Sequence, residues 1–175
     1  MIKIVLIVIA VAIAAVLVLA ATKPDVFRVQ RATSIKAPPE KVFALINDFK
    51  RWQAWSPWEK KDPAMKRSFG AATAGKGASY AWEGNRDVGQ GSMEITNSVP
   101  SSAIGLKLDF LKPFEAHNTV DFVLAPKGDL TEVTWTMAGP TPYLGKIIHV
   151  FVDMDSVVGK DFEAGLANLK AIAEK

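Results

Sequence analysis

Hydrophobic positions follow two different patterns along this chain. Residues Ile4–Ala21 are apolar without interruption, whereas apolar residues farther along alternate with polar ones or recur at helical spacing. The pattern changes once, at residues 22–24, and no internal repeat or second linker follows. We therefore predict an N-terminal segment, residues 1–22, and one globular domain, residues 23–175.

The N-terminal apolar run is long enough to anchor the chain in a membrane. As a helix, its 18 residues extend about 27 Å, close to the roughly 30 Å hydrocarbon thickness of a bilayer. A cleaved signal peptide is the alternative, with Lys3 as its basic start and residues 18–20 as the cleavage site, although the run is longer than usual. A buried helix of a soluble protein is a third possibility, which the high Ile and Val content disfavours. We expect a single-pass anchor from Ile4 to Ala21.

The charges beside this run give conflicting indications of the side of the membrane on which the domain lies. Only Lys3 precedes the run, whereas four basic residues follow it, namely Lys23, Arg28, Arg31 and Lys36. Positive-inside counting would place the domain in the cytoplasm. A lysine directly before an N-terminal apolar run also resembles an export signal, which would place the domain outside. We favour this exterior, or periplasmic, side.

The domain begins with a predicted strand, a helix and an aromatic corner. Residues 26–36, "VFRVQRATSIK", alternate as a strand does, and the prolines of "APPEKVFALINDF" mark a helix start. Trp52, Trp55 and Trp58 follow at intervals of three, so the first two rings can pair on a helix. Pro57 predicts that this helix stops near Trp55 and leaves Trp58 in a turn or extended segment. These rings form either a structural corner or a wall of a cavity.

The hydrophobic period changes to two between residues 66 and 139. Apolar residues alternate with polar or small ones, and short turns rich in Gly, Pro, Asn and Asp separate the alternating segments. This pattern predicts an antiparallel meander of about six strands with one buried face. Two helices should follow, at about 143–152 and 155–173, and the second carries an apolar seam with steps of three or four residues. Gly159 and Gly165 in that helix predict a close approach to a neighbour, or clearance beside a cavity.

Composition excludes several classes of function. The net charge is only +3 and basic residues form no block, so we expect no nucleic-acid partner. The chain has no cysteine, which excludes disulfides and thiol catalysis. "GAATAGKG", residues 70–77, lacks the hydroxyl and the helix that a phosphate-binding loop requires. The two histidines, His117 and His149, are not at metal-binding spacing, and we expect neither a metal nor a cofactor.

The order of elements and one segment resemble a known superfamily. "APPEKVFALINDFKRWQAWSPW", followed by the meander and the long C-terminal helix, resembles the SRPBCC superfamily of START-like and polyketide cyclase/dehydrase-like proteins. The resemblance covers roughly residues 27–173. It implies an α+β helix-grip (START/Bet v1-like) fold, in which a curved antiparallel sheet surrounds the C-terminal helix. It also implies a mostly apolar cavity for lipids, polyketides or other hydrophobic molecules, in carriers as well as in enzymes.

Candidate ligand-binding residues lie at alternating positions on the presumed inward faces of the strands and on neighbouring helices. The predicted set is Trp55, Tyr80, Trp82, Met93, Phe122, Trp135, Met137 and Phe162. Glu115, His117, Thr119 and Asp121 share one face of a strand, which is either a solvated face or the polar floor of the cavity.

Three hypotheses about function follow. The leading one is a membrane-anchored domain that binds a hydrophobic small molecule or lipid without transforming it. The second is a cyclase/dehydrase-like enzyme with His117 and Asp121 as an acid/base pair, which requires both side chains to point inward. The third is a protein-interaction module with a filled core.

Overall fold

The structure, a computed structural model, describes all residues from Met1 to Lys175. Five α-helices, seven strands and one 3₁₀ helix follow one another along the chain. In chain order the elements are α1 Ile2–Ala21, β1 Val26–Ile35, α2 Pro39–Ile46, the 3₁₀ helix Phe49–Ala54, α3 Pro57–Lys61, β2 Lys66–Phe69, β3 Ser79–Glu83, β4 Gln90–Val99, β5 Ala103–Lys112, β6 Ala116–Lys127, β7 Leu130–Pro140, α4 Tyr143–Phe151 and α5 Met154–Ala173.

The seven strands form one antiparallel sheet in the order β1-β7-β6-β5-β4-β3-β2. Strands β2 to β7 pair consecutively, as expected for alternating segments joined by short turns. The first strand returns beside the last one, with Val26 opposite Pro140 and Ile35 opposite Thr131. The predicted α+β helix-grip fold is confirmed.

Helix α5 packs along the β1 side of the sheet, and its two central glycines allow this close approach. A Cβ at Gly159 would clash with the Arg31 guanidinium, which pairs with Asp155 and Glu163 of α5. A Cβ at Gly165 would lie 2.8 Å from the Trp135 ring. The sequence predicted close approach or clearance at these glycines, and the structure shows close approach at both.

The tryptophan segment differs from its prediction at Trp58. Trp52 lies in the 3₁₀ helix and its ring centroid is 4.7 Å from that of Trp55, so the predicted pair forms. Trp58, however, belongs to the short helix α3 instead of a turn or extended segment. The prediction was wrong because Pro57 starts a new helix as well as ending the old one, since proline needs no N–H in the first helical turn.

Helix α1 projects from the domain with its apolar side chains exposed. It has 20 residues, 19 of them apolar, and Ala20 is its only buried residue. Its length and composition are sufficient to cross a membrane, and a signal sequence meets the same criterion. Its last turns contact α4, where the Tyr143 hydroxyl donates a hydrogen bond of 2.8 Å to the Leu17 carbonyl.

Candidate ligand-binding cavity

A cavity of about 150 Å³ lies between the inner face of the sheet, α3 and the first turns of α5. Fourteen of its 17 lining residues are hydrophobic, so a ligand inside would be surrounded mainly by aromatic rings and methionines. The lining residues are Trp52, Ser56, Trp58, Glu59, Met65, Tyr80, Trp82, Val88, Met93, Leu108, Phe110, Val120, Trp135, Met137, Val158, Asp161 and Phe162.

Six of the eight predicted ligand-binding residues line this cavity. They are Tyr80, Trp82, Met93, Trp135, Met137 and Phe162. Strand alternation turns Tyr80 and Trp82, two positions apart, toward the same side, although the rim residue Trp82 stays half-buried.

Trp55 and Phe122, the other two predicted residues, are fully buried outside the lining. Trp55 donates from its indole N–H to the Leu45 carbonyl at 3.1 Å, and its ring meets those of Phe122 and Trp135 edge to face. Both side chains therefore fill the structural corner, and their neighbour Trp52 lines the cavity instead. Periodicity places Phe122 on the inner face of β6 correctly, but it does not reveal that Trp52 and Trp55 cover it.

Sequence reasoning missed a buried ionic cluster at the cavity wall. The Glu59 carboxylate accepts a hydrogen bond from the Tyr80 hydroxyl at 3.1 Å and two from the Arg67 guanidinium at 2.8 and 2.6 Å. The Glu59 side chain is 6% exposed and that of Arg67 19%. Because the three residues lie on α3, β2 and β3, only the packing of α3 over the sheet edge brings them together. In sequence, Glu59 and Arg67 resemble ordinary surface charges.

The cluster raises the pKa values of two of its members, Tyr80 and Arg67. Burial raises the pKa of the Tyr80 hydroxyl, and the negative charge of Glu59 raises it further. The hydrogen bond to Glu59 raises the pKa of Arg67. Tyr80 therefore stays a neutral donor and Arg67 a cation across the physiological range, and each is already engaged by Glu59.

One fully buried side-chain polar atom of the lining residues has no hydrogen-bond partner. The indole N–H of Trp135, a residue that is only 2% exposed, is buried without a hydrogen bond. An unpaired buried N–H costs about 1–3 kcal/mol relative to a paired one.

The half-buried lining residues mark the mouth of the cavity. They lie on α3, on the first turns of α5 and on β3, β4 and β5, and they are Trp58, Trp82, Met93, Phe110, Val158 and Asp161. The Trp82 indole donates to the Val88 carbonyl at 2.9 Å, and its ring lies so close to Gly91 that a Cβ there would be 2.6 Å away. This hydrogen bond and this glycine fix one ring at the rim.

His117 and Asp121 lie on the other side of the sheet from the cavity. Both are exposed on β6, whereas Val120 and Phe122, which alternate with them, point inward. The Nδ1 atom of His117 lies 2.6 Å from a carboxylate oxygen of Asp109, which faces it from β5. The row from Glu115 to Asp121 is therefore a solvated face, and the inward orientation that the acid/base hypothesis requires is not observed.

The charges of this outer face act on one another. The hydrogen bond between His117 and Asp109 raises the pKa of His117 above its ordinary value. Hydrogen bonds from Lys107 and then from His117 hold the pKa of Asp109 below its usual range. These interactions occur in an exposed setting, where charge pairs contribute little to stability.

Several solved structures share the fold of this chain. Protein CV1439 from Chromobacterium violaceum is 16% identical, with a TM-score of 0.60 over 87% of this chain and 99% of that one. Mll3558 from Rhizobium loti is 17% identical, with a TM-score of 0.62 over 83% and 96%. The di-domain ARO/CYC protein StfQ from the steffimycin biosynthetic pathway is 11% identical, with a TM-score of 0.60 over 85% of this chain and 51% of that one.

A family model identifies the domain more directly than these distant structures. No curated protein matches the sequence significantly. The family model described as "Polyketide cyclase / dehydrase and lipid transport" matches residues 26–174, which is nearly the whole region after α1. The chain therefore belongs to the polyketide cyclase/dehydrase and lipid transport family of the SRPBCC superfamily.

Proposed function

We propose that this protein is a membrane-anchored receptor or carrier that binds a small hydrophobic molecule in its cavity without transforming it. The observation that carries this proposal is a cavity of about 150 Å³ whose wall is largely aromatic and aliphatic. A void in a well-packed interior loses contacts, so a domain retains one at a cost that ligand binding can offset. The same void argues against the filled-core interaction module.

The size of the cavity restricts the ligand. An apolar cavity of roughly 150 Å³ is known to accept a molecule such as benzene. A small aromatic or branched apolar molecule, or the end of a longer chain, is therefore the ligand class we propose, and an entire phospholipid is far too large.

The polar groups of the wall favour binding over chemistry. Glu59 accepts hydrogen bonds from both Tyr80 and Arg67, and Asp161 pairs with Lys61 at 2.6 Å. A general acid or base needs a free position from which to reach a substrate proton. His117 and Asp121 lie outside the cavity, so we do not propose the cyclase/dehydrase-like reaction.

The anchor gives the binding site a source of ligand. Hydrophobic molecules concentrate in bilayers, and α1 would hold the domain within a short distance of one. We propose that α1 remains attached as a single-pass anchor and that the domain lies on the exterior side. Because the chain lacks cysteine, an Asp129→Cys variant carries a unique exposed thiol for testing this placement. Labelling by a membrane-impermeant maleimide in intact cells supports the exterior side, and labelling only after lysis contradicts it.

Ligand binding is tested by thermal unfolding of the full chain in detergent with indane and 1-indanone, two probes of nearly equal shape. A probe at about 100 times its Kd adds about 2.7 kcal/mol of stability, which raises Tm by roughly 5–10 °C for a domain of this size. Met93→Trp, which places a larger side chain in the cavity, should abolish the shift, whereas Val123→Trp on the exposed outer face should retain it.

Two results would contradict the binding proposal. One is the absence of a shift with either probe and with extracts of the native membrane. The other is an equal shift in the wild type and in Met93→Trp, because the probes would then bind elsewhere.

A further inference from the structure

One end of the sheet collects nearly all of the exposed apolar side chains of the domain. Strand pairing places the start of β1, the end of β7 and the β5–β6 loop at this end, since Val26 faces Pro140 and Phe110 faces Ala116. Helix α1 enters the domain there, α4 follows β7 there, and α5 begins there.

Helix α4 presents an uncovered apolar stripe at this end. Leu144, Ile148 and Phe151, at spacings of four and three, are 67%, 40% and 72% exposed, and no residue of α4 is buried. Side chains at this spacing lie on one face of a helix. The domain therefore leaves the apolar face of this helix without a protein partner.

The β5–β6 loop adds a second apolar projection at the same end of the sheet. Leu111 is 52% exposed and Phe114 is 70% exposed, on either side of the turn at Lys112 and Pro113. Large side chains at this exposure are rarely placed together on a water-facing surface without a function.

The mouth of the cavity lies at this same end of the sheet. Its rim residues Trp82 and Phe110 lie near the ends of β3 and β5 that are on the side of the β5–β6 loop, and its rim residue Val158 directly follows Val157, which is 54% exposed near the start of α5. The mouth of the cavity and the exposed apolar side chains therefore share one end of the domain.

The position of α1 identifies what covers this surface. Helix α4 lies against the last turns of α1, where Tyr143 bonds to the Leu17 carbonyl about 6 Å before the helix ends. Whatever surrounds those turns of α1 must also meet α4. Tyr143 has the amphipathic character of a residue at the membrane interface, and the Lys146 stem is packed with its ammonium group on Asp25, as expected beside polar headgroups.

We propose that α4 and the β5–β6 loop together form a bilayer-contact surface, which holds the mouth of the cavity against the membrane in which α1 is anchored. This inference rests on the anchoring and binding of the proposed function and adds the orientation of the domain. α4 lies along the interface with Leu144, Ile148 and Phe151 toward the acyl chains, while Phe114 inserts beside it. A hydrophobic ligand then passes between bilayer and cavity without entering bulk water.

Site-specific fluorescence in the full chain tests this orientation. Single cysteines replace Phe151, Phe114, Val11, Asp129 or Ser102 in the cysteine-free chain, each carrying an environment-sensitive dye, in nanodiscs of phosphatidylcholine. Asp129 and Ser102 are the matched controls, because their turns lie at the opposite end of the sheet. Nitroxides on the lipid acyl chains should quench the dyes at positions 151 and 114 several-fold more than the dyes at 129 and 102.

The possible failures of this experiment are distinguishable. Quenching at position 11 but not at 151 and 114 overturns the orientation and leaves the anchor intact. No quenching at position 11 removes the anchor, and with it this inference. A third outcome is that the lipid nitroxides do not quench the dyes at 151 and 114, and that these dyes are protected from iodide in native membranes but not in nanodiscs. A protein partner then covers the surface, and the proposal is wrong.

A kinetic experiment tests the consequence for ligand transfer. Leu144→Glu combined with Phe151→Glu should slow the transfer of an aromatic fluorophore from phosphatidylcholine vesicles several-fold, because carboxylates are disfavoured in the interface. The equilibrium affinity for 1-indanone in detergent should not change, since neither residue lines the cavity. Val123→Glu, on the exposed outer face, is the control. Equal transfer rates in all variants would overturn the proposal.

Discussion

The two halves of the inner sheet face carry similar side chains, yet one half is filled and the other is hollow. Over β1, β7 and β6 the helices α2 and α5 cover the sheet, and Trp55, Phe122 and Leu169 are completely buried. Over β3, β4 and β5 the aromatic side chains Tyr80, Trp82 and Phe110 border the cavity instead, and Val120 of β6 and Met137 of β7 line it at the border with the filled half. Both halves are rich in aromatic and aliphatic residues, so residue type does not create the cavity. The length and direction of the covering helices create it.

A pair of stacked rings lies at the border between the halves. Trp135 and Phe162 stack at 4.0 Å with their planes 7° apart, and both also line the cavity. Trp135 contacts Trp55 and Phe122 on the packed side. The hollow half therefore has a rigid floor, which a preformed binding site requires because ordering the floor at binding would reduce affinity.

The largest expected effect distinguishes the packed half from the hollow half directly. Trp55→Ala should lower the free energy of unfolding by about 3–5 kcal/mol, because it leaves a new void in a closed corner and removes a hydrogen bond. Met93→Ala should cost only about 1–2 kcal/mol, since this half-buried side chain already borders a void. Urea unfolding of the full chain in detergent measures both. Equal losses of unfolding free energy would show that the two halves are packed alike. Trp55→Phe replaces Trp55→Ala in this comparison if the alanine variant does not fold.

The ionic cluster at the edge of the hollow half should give the next largest effect. Glu59→Ala leaves the part-buried Arg67 and the Tyr80 hydroxyl without their partner, which should cost about 3 kcal/mol of unfolding free energy. Adding Arg67→Met to Glu59→Ala should recover part of this loss, because the unpaired cation is then gone. Additive losses in the double variant would contradict a coupled pair. The same urea titration provides the measurement.

A smaller effect tests how tightly α5 lies on the packed half. Gly165→Ala places a methyl group 2.8 Å from Trp135 and 3.0 Å from Pro57. Overpacking of this kind costs about 1–3 kcal/mol, and the better helix propensity of alanine returns up to about 1 kcal/mol, so we expect a net loss of about 1 kcal/mol. Gly145→Ala in α4, whose nearest neighbour is 3.4 Å away, should instead be neutral or slightly stabilising. A stabilised Gly165→Ala variant would show that α5 is not held closely.

The smallest effect concerns the outer face of the sheet, which belongs to neither half of the inner face. Because Asp109 raises the pKa of His117 in the folded state, the interaction stabilises the fold below about pH 6.5, the ordinary value, and this contribution disappears as the pH rises through the raised pKa. Asp109→Asn should lower the His117 pKa, measured by an NMR titration in which His149 is the only other histidine signal. An unchanged His117 titration would show that the Asp109 contact does not persist in solution.

The sequence by itself determined the N-terminal apolar helix, the run of consecutive antiparallel strands and the long C-terminal helix. An unbroken apolar run, a period of two and a seam at spacings of three and four each report which face of a segment avoids water. These signals are local, so they survive without any knowledge of the fold. They also placed Tyr80, Trp82, Met93 and Met137 on the inner face of the sheet.

Only the tertiary structure decided what each inner face meets. Periodicity placed both Phe122 and Met93 on the inner face of the sheet. In the structure, Trp52 and Trp55 cover Phe122, whereas Met93 borders the cavity. Glu59 acquires Tyr80 as a hydrogen-bond donor across 21 positions of sequence. His117 pairs with Asp109 because of the β5–β6 register, which no local pattern specifies. Hydrophobic spacing fixes the direction of a side chain, whereas the cavity depends on where distant helices end.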